Sequence, residues 1–149
     1  MIFKRKMNDK ELQVFNKACS HITKRAHEIC NKDNEYAFRH FNAITEAQKD
    51  RVLHDVDQFS YVACNNYSVF TKLHPFTWIG LGLTNPWHPA KNIALNYKAL
   101  KDVKTAIEII THEFSHAQLG TIDGLAGEGI SVDDFDERIK DAWVWTFLF

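Results

Sequence analysis

The run His112-Glu113-Phe114-Ser115-His116 combines two imidazoles and a carboxylate at a spacing that suits metal chemistry. Residues four apart on an α-helix share one face, so His112 and His116 can bind one metal ion from a rigid support. Glu113 would then lie beside the ion, where its carboxylate can take a proton from metal-bound water as a general base. Zn²⁺ lowers the pKa of such a water toward about 7, so the pattern predicts zinc-dependent hydrolysis.

A catalytic zinc also needs a third protein ligand, and two acidic positions after His116 can supply it. Asp123 lies in a Gly-rich turn that can bring a carboxylate back to the metal. Glu137 and Asp141 stand four apart. On one helix they would match zinc peptidases in which a glutamate is the ligand and an aspartate supports the site from the second shell.

The stretch from His112 to Gly127 resembles the signature of the aspzincins, the deuterolysin and peptidyl-lysine metalloendopeptidase group. In that signature His-Glu-x-x-His is followed by Gly-Thr-x-Asp-x-x-Tyr-Gly, and residues 120–123 match its Gly-Thr-x-Asp part. Because this part matches as a unit, the resemblance favours Asp123 over Glu137 as the third ligand. It implies that Glu113 is the general base and that Zn²⁺ is bound by three residues: His112, His116 and Asp123.

Two positions depart from the family pattern. Ala126 replaces the tyrosine that stabilises the oxyanion of the tetrahedral intermediate, a contribution of about a few kcal/mol. Tyr97 and His88 are the candidates for another donor. Asp141 matches the first acid of a segment that selects lysine in the lysine-specific members, whereas Val144 stands where a second acid is expected.

The first sixty-odd residues contain neither Gly nor Pro, which predicts helices. Asn8 or Asp9 can cap a first helix with apolar residues at helical spacing. The segment Glu35–Phe41 is expected to form a short helical turn. The sequence Thr45–Gln48 is a capping-box pattern that opens a second long helix.

From Tyr67 onward the sequence is typical of strands and loops. The runs 68–71 and 76–79 are β-prone, and 85–89 reads as a loop. Residues 92–97 alternate apolar and polar as a half-buried strand does. In zinc peptidases an edge strand ahead of the metal-binding helix binds extended substrate, and we expect residues 92–97 to take that place.

Two further helices are predicted, over 102–119 with a stop at Gly120 and over 133–149. These elements predict an α+β, zincin-like fold. It would have N-terminal helices, a small antiparallel or mixed sheet, an active-site helix and a C-terminal helix. We expect one metallopeptidase domain over residues 1–149.

Composition excludes several classes of function. The formal net charge of -1 offers no argument for a nucleic-acid partner. No apolar run reaches the roughly 18 residues that span a membrane, and the N-terminus lacks the apolar region of a secretory signal. We therefore expect a soluble chain without a signal peptide. Cys19, Cys30 and Cys64 are expected to be free thiols, with a bridge from Cys64 to either of the others left open.

The function that these features predict is a zinc-dependent endopeptidase with a protein or peptide substrate. The chain also resembles small toxin modules of bacterial secretion systems, including type VI, which implies signal-independent secretion and a carrier or immunity protein as partner. Two alternatives stay open. One is a non-catalytic zinc-containing binding domain, in which Ala126 would mark the loss of the tyrosine that catalysis needs. The other is a peptidoglycan peptidase.

Overall fold

A computed structural model describes residues 2–42, 44–61, 67–72, 82–84 and 93–149. Helices make up most of these residues, so the fold is helix-rich. Within the described part of the chain, no helix is both long and apolar enough to cross a membrane.

Three helices form the N-terminal layer, as predicted: α1 (Asp9–Asn31), α2 (Asn34–Phe41) and α3 (Glu46–Gln58). A capping box starts α1, because Asn8 Oδ1 accepts from the amide of Glu11 at 2.8 Å and Glu11 Oε1 accepts from the amide of Asn8 at 3.0 Å. Thr45 and Gln48 form the same reciprocal pair at the start of α3. A 3₁₀ turn, Phe59–Tyr61, extends α3.

The cysteines of this layer are free thiols. Cys19 is buried on α1 and Cys30 is half-buried near its end. Neither forms a disulfide within the described part of the chain, which confirms the prediction of free thiols for these two residues. Cys64 itself lies outside the described residues.

Four short strands form one small mixed sheet: β1 (Ile2–Arg5), β2 (Tyr67–Lys72), β3 (Gly82–Thr84) and β4 (Ile93–Asn96). Their order is β1-β2-β4-β3, with β2 and β4 parallel and the outer pairs antiparallel. The predicted strands at 68–71 and 92–97 correspond to β2 and β4. The predicted strand at 76–79 and the loop at 85–89 lie outside the described residues.

The expectation that residues 92–97 form an edge strand is wrong. β4 pairs with β2 on one side and with β3 on the other, so both rows of its backbone groups face neighbouring strands. Among the described strands the edges are β1 and β3. β3 packs against the helix that carries His112.

The helix that carries the motif is α4 (Val103–Phe114). Asp102 caps it, since its Oδ1 accepts from the amide of Thr105 at 2.7 Å. After α4 the backbone widens into a π-helical turn, Ser115–Leu119, and ends at Gly120 in the left-handed region with φ 67°. The predicted span of 102–119 and the Gly120 stop are confirmed, and the π-helical turn is an addition.

The predicted continuous helix over 133–149 is wrong. The segment contains two short helices, α5 (Phe135–Arg138) and α6 (Ala142–Thr146). Between them Asp141 leaves the helical conformation and forms a parallel bridge with Ile122. The amide of Ile122 donates to the Lys140 carbonyl at 2.9 Å, and the amide of Ala142 donates to the Ile122 carbonyl at 3.0 Å. Pairing with a distant loop therefore replaces one turn of helix.

Aromatic side chains join these elements in the core. Trp145 of α6 is fully buried, with its ring centroid 4.4 Å from that of Phe41 and 5.8 Å from that of Phe59. Phe59 in turn lies 4.8 Å from Phe114 of α4. These large side chains pack α6 against α2 and against the 3₁₀ turn Phe59–Tyr61, and that turn contacts the last residue of α4.

Candidate metal centre

His112 and His116 bring their Nε2 atoms to 3.1 Å of each other. His112 lies in the last turn of α4 and His116 in the π-helical turn that follows. Their ring planes are nearly perpendicular, at 88°, with centroids 4.6 Å apart. The spacing of four residues therefore brings both imidazoles to one point, as the sequence predicts.

Asp123 reaches the same point from the loop after Gly120. Its Oδ1 lies 2.9 Å from His112 Nε2 and 3.2 Å from His116 Nε2. Three atoms from two segments of chain thus form a small triangle, although the Asp123 side chain is 74% exposed. The sequence-predicted set of two histidines and one aspartate is brought together.

The triangle fits a tetrahedral zinc ion. Zinc holds imidazole nitrogen and carboxylate oxygen at about 2.0 to 2.2 Å, so ligand atoms around it lie about 3.3 to 3.5 Å apart. The three observed separations are 2.9, 3.1 and 3.2 Å, slightly shorter than that spacing. Lone-pair atoms this close repel each other unless a cation or a shared proton lies among them. Both the geometry and the residue types therefore suit a zinc site.

Thr121 sets the orientation of the His116 ring. His116 Nδ1 lies 2.7 Å from the Thr121 carbonyl oxygen, a distance at which the ring N–H donates to that oxygen. The proton on Nδ1 leaves the lone pair of Nε2 directed at the triangle. The left-handed conformation of Gly120 turns the chain so that this carbonyl faces back toward the histidine.

Ser115 and Thr121 form a buried polar link between the helix and the loop. Ser115 Oγ donates to the His112 carbonyl at 2.7 Å and lies 2.8 Å from Thr121 Oγ1. Both residues are buried, so these bonds have little competition from water. They explain why a serine before the second histidine and a threonine after the glycine suit this turn.

His112 is 6% exposed, and its environment favours the neutral imidazole. Burial, and next the charge that His116 carries when it is protonated, lowers the pKa of His112, although Glu113 and Asp123 act in the opposite direction. The neutral ring is the form that binds a metal. The ring also packs against Trp143, with centroids 4.2 Å apart.

Glu113 is buried next to the two histidines. Each of the three residues His112, Glu113 and His116 offers a ligand-type atom within 4.8 Å of the others. The Glu113 carboxylate is thus within reach, through one water molecule, of a ring nitrogen of each histidine. This is the place that a general base requires.

Asp141 holds the loop that carries Asp123. Its Oδ2 accepts from the amide of Ala126 at 3.1 Å, and its Oδ1 accepts from the amide of Trp143 at 2.9 Å. A Cβ on Gly124 would collide with this carboxylate, so only glycine allows the close approach. Asp141 is 3% exposed, and both oxygens are used for structure rather than turned toward a substrate.

The alternative third ligand is placed differently. Glu137 ends up on α5 and Asp141 at the start of α6, so the expected arrangement of both on one helix is wrong. Among the described residues Glu137 makes no hydrogen bond or ion pair with either histidine. Its side chain lines a cavity of about 380 Å³ beside Asp123, together with Asp136 and Lys140.

The two candidate oxyanion donors, Tyr97 and His88, stay predictions. Ala126 begins a 3₁₀ turn, Ala126–Glu128, and packs its methyl group against the core. Tyr97 begins the 3₁₀ turn after β4 and is 40% exposed. His88 lies outside the described residues.

The sequence analysis missed the contribution of Trp143. In the sequence it is one of four aromatic residues between positions 143 and 149, and nothing in its own type links it to the histidines. The signal that could have found it is Asp141, an N-cap residue type two positions earlier.

Comparison with known proteins gives no independent identification. Protein-family models, curated proteins and solved structures were all compared with the chain, and none matches it. What can be said of the centre comes from its own residues: two histidines, an aspartate and a buried glutamate at one point of a helix-rich fold.

Proposed function

We propose that this chain is a zinc-dependent endopeptidase of the aspzincin type, built on an α+β, zincin-like fold. The observation that carries the proposal is the convergence of His112 Nε2, His116 Nε2 and Asp123 Oδ1 at 2.9 to 3.2 Å, with the Glu113 carboxylate beside them. Two imidazoles and one carboxylate with an open fourth position are the ligand set of a catalytic zinc rather than a structural one.

The mechanism assigns one task to each residue. His112, His116 and Asp123 would hold Zn²⁺, which when bound acidifies a water and polarises the scissile carbonyl. Glu113 takes the proton of the attacking water and delivers it to the leaving amine. Thr121 keeps His116 in the tautomer that presents Nε2, and Asp141 fixes the loop that presents Asp123.

The distances to the two histidine nitrogens favour Asp123 over Glu137 as the third ligand. Asp123 lies within 3.2 Å of both histidine nitrogens, whereas Glu137 has no contact with them among the described residues. The break between α5 and α6 separates Glu137 from Asp141, which removes the arrangement that favoured the pair.

The substrate class that fits is an extended protein or peptide segment. β3 is an edge among the described strands and packs against α4, and its outer backbone groups, which no other described strand pairs, would bind the substrate. In biological terms we propose a bacterial effector or toxin, accompanied by a secretion-system carrier or an immunity protein.

The test of this function is metal-dependent proteolysis with a Glu113→Gln variant. Wild-type protein should cleave casein or histone, lose the activity with a chelator and regain it with zinc. Glu113→Gln should keep its zinc and lower kcat by about 10² to 10⁴, because the ligand atoms stay and the base is lost. Glu108→Gln, the same change at an exposed position of α4, is the matched control and should cleave normally. Unchanged turnover in Glu113→Gln would refute the mechanism.

A second candidate function is a non-catalytic zinc-binding domain, and the observation that favours it is Ala126. The side chain there is a methyl group packed on the core, with no donor for an oxyanion. Zinc-loaded wild-type protein that cleaves neither casein nor histone would support this candidate. Digestion of purified cell walls by the same preparation would point instead to a peptidoglycan peptidase.

A further inference from the structure

The two histidines of the centre are oriented in different ways. A metal-binding histidine usually donates its second ring N–H to a carboxylate, a carbonyl or water, which fixes the ring. His116 follows this rule through the Thr121 carbonyl. His112 Nδ1 is buried and has no hydrogen-bond partner within the described part of the chain. Something other than a hydrogen bond must restrict the rotation of the His112 ring.

The side chain in place to do so is Trp143. Its indole lies against the His112 imidazole, with ring centroids 4.2 Å apart and planes inclined by 47°. This is a favourable separation for two aromatic rings. A large, flat neighbour at that distance blocks rotation of the imidazole about its Cβ–Cγ bond.

Trp143 is itself held from two sides. Its backbone amide donates to Asp141 Oδ1 at 2.9 Å, at the start of α6. Its indole lies against the backbone of Gly127, where a Cβ would collide with the indole nitrogen and its neighbouring ring carbons. The indole therefore has a defined position between the 3₁₀ turn Ala126–Glu128 and the histidine.

We propose that Trp143 is a positioning residue for His112, and that its ring contact replaces the missing hydrogen bond to Nδ1. The inference rests on the metal site proposed above. It also explains a feature outside the histidines: the 3₁₀ turn needs glycine at position 127 because the indole that restrains His112 lies there. Trp143 acts on the affinity and geometry of the metal site and does not touch the reacting atoms.

The experiment measures zinc affinity and the visible absorption of the Co²⁺-substituted protein, with no reference to proteolysis. Trp143→Leu should weaken zinc binding about three- to tenfold and alter the Co²⁺ bands, which report ligand geometry. Trp143→Phe keeps an aromatic ring and should restore most of the affinity. Gly127→Ala leaves the tryptophan present and displaces its indole, so it should weaken zinc binding even if Trp143→Leu does not fold.

Trp145→Phe is the matched control. Trp145 is two residues away on α6, is fully buried and donates from Nε1 to the Ile139 carbonyl at 3.0 Å. This variant should lower Tm without changing the zinc Kd or the Co²⁺ spectrum.

The results separate the two proposals. Wild-type zinc affinity in both Trp143→Leu and Gly127→Ala would overturn the positioning role, as would an equal loss of affinity in Trp145→Phe. A wild-type protein that binds no zinc would overturn this inference together with the proposed function. Zinc binding without proteolysis would refute only the peptidase activity.

Discussion

Replacing Asp123 by alanine tests the third ligand directly. The side chain is 74% exposed, so its loss leaves no internal cavity. The apo protein should therefore keep its free energy of unfolding within about 0.5 kcal/mol. What the variant loses is the oxygen that lies 2.9 and 3.2 Å from the two Nε2 atoms.

The expected loss of zinc affinity follows from the contribution of one ligand to the free energy of zinc binding. Structural zinc sites with four ligands bind with about 10 to 16 kcal/mol, so one ligand contributes about 3 to 4 kcal/mol. Losing it raises the zinc Kd by about two to three orders of magnitude. At free zinc of about 1,000 times the wild-type Kd, zinc stabilises the wild type by about 4 kcal/mol and the variant by about 0.4 to 1.4 kcal/mol.

The assay is thermal unfolding with and without zinc, supported by a competition titration for Kd. For a chain of this size, 1 kcal/mol corresponds to about 2 to 4 °C, so zinc should raise Tm by about 8 to 16 °C in the wild type and by about 1 to 6 °C in Asp123→Ala. Glu137→Ala is the matched control and should respond like the wild type. If Asp123→Ala keeps the full zinc response and Glu137→Ala loses it, the assignment of Asp123 and the aspzincin resemblance both fail.

Two further predictions concern the support of the Asp123 loop by Asp141 and the pH dependence of the stability of the fold. Asp141→Ala removes the cap of α6 and the acceptor of a loop amide. In urea unfolding this variant should lower the free energy of unfolding by about 2 to 4 kcal/mol. The control is Asp134→Ala, at a helix start where the side chain forms no cap, and it should lower the free energy of unfolding by less than about 1 kcal/mol. Burial, then the charges of Arg138 and Arg25, lowers the pKa of His40, so the unfolded chain takes up a proton before the folded one. Stability should fall as pH drops below about 6.5, and His40→Phe should reduce the difference measured between pH 7.5 and 5.5, whereas an unchanged difference would contradict the reasoning.

Local signals predicted much of the fold. Asn8 and Thr45 start their helices with the capping boxes that the sequence shows, because a cap is a contact between residues three apart. Gly120 ends the motif helix for an equally local reason, its freedom to adopt φ 67°. The spacing of His112 and His116 fixed their shared face, and the turn after Gly120 brought Asp123 to them.

The features that were missed depend on contacts between distant parts of the chain. The break before α6 arises where Asp141 pairs with the loop at Ile122. The spacing of apolar residues within 133–149 does not predict this pairing, because the partner lies outside that segment. β4 lies inside the sheet because β2 and β3 pair on either side of it. The alternation of apolar and polar residues in one strand does not specify which strands pair with it. The contact between Trp143 and His112 likewise joins residues far apart in sequence.

The bridge between Ile122 and the segment Lys140–Ala142 makes the loop of the metal centre depend on a contact that is distant in sequence. The two histidines can approach each other as soon as one helix forms. The Asp123 loop requires in addition that a chain segment of some twenty residues closes on itself, which costs loop entropy. A state of the chain that keeps the helix and loses this bridge would therefore present a two-histidine site of weak metal affinity.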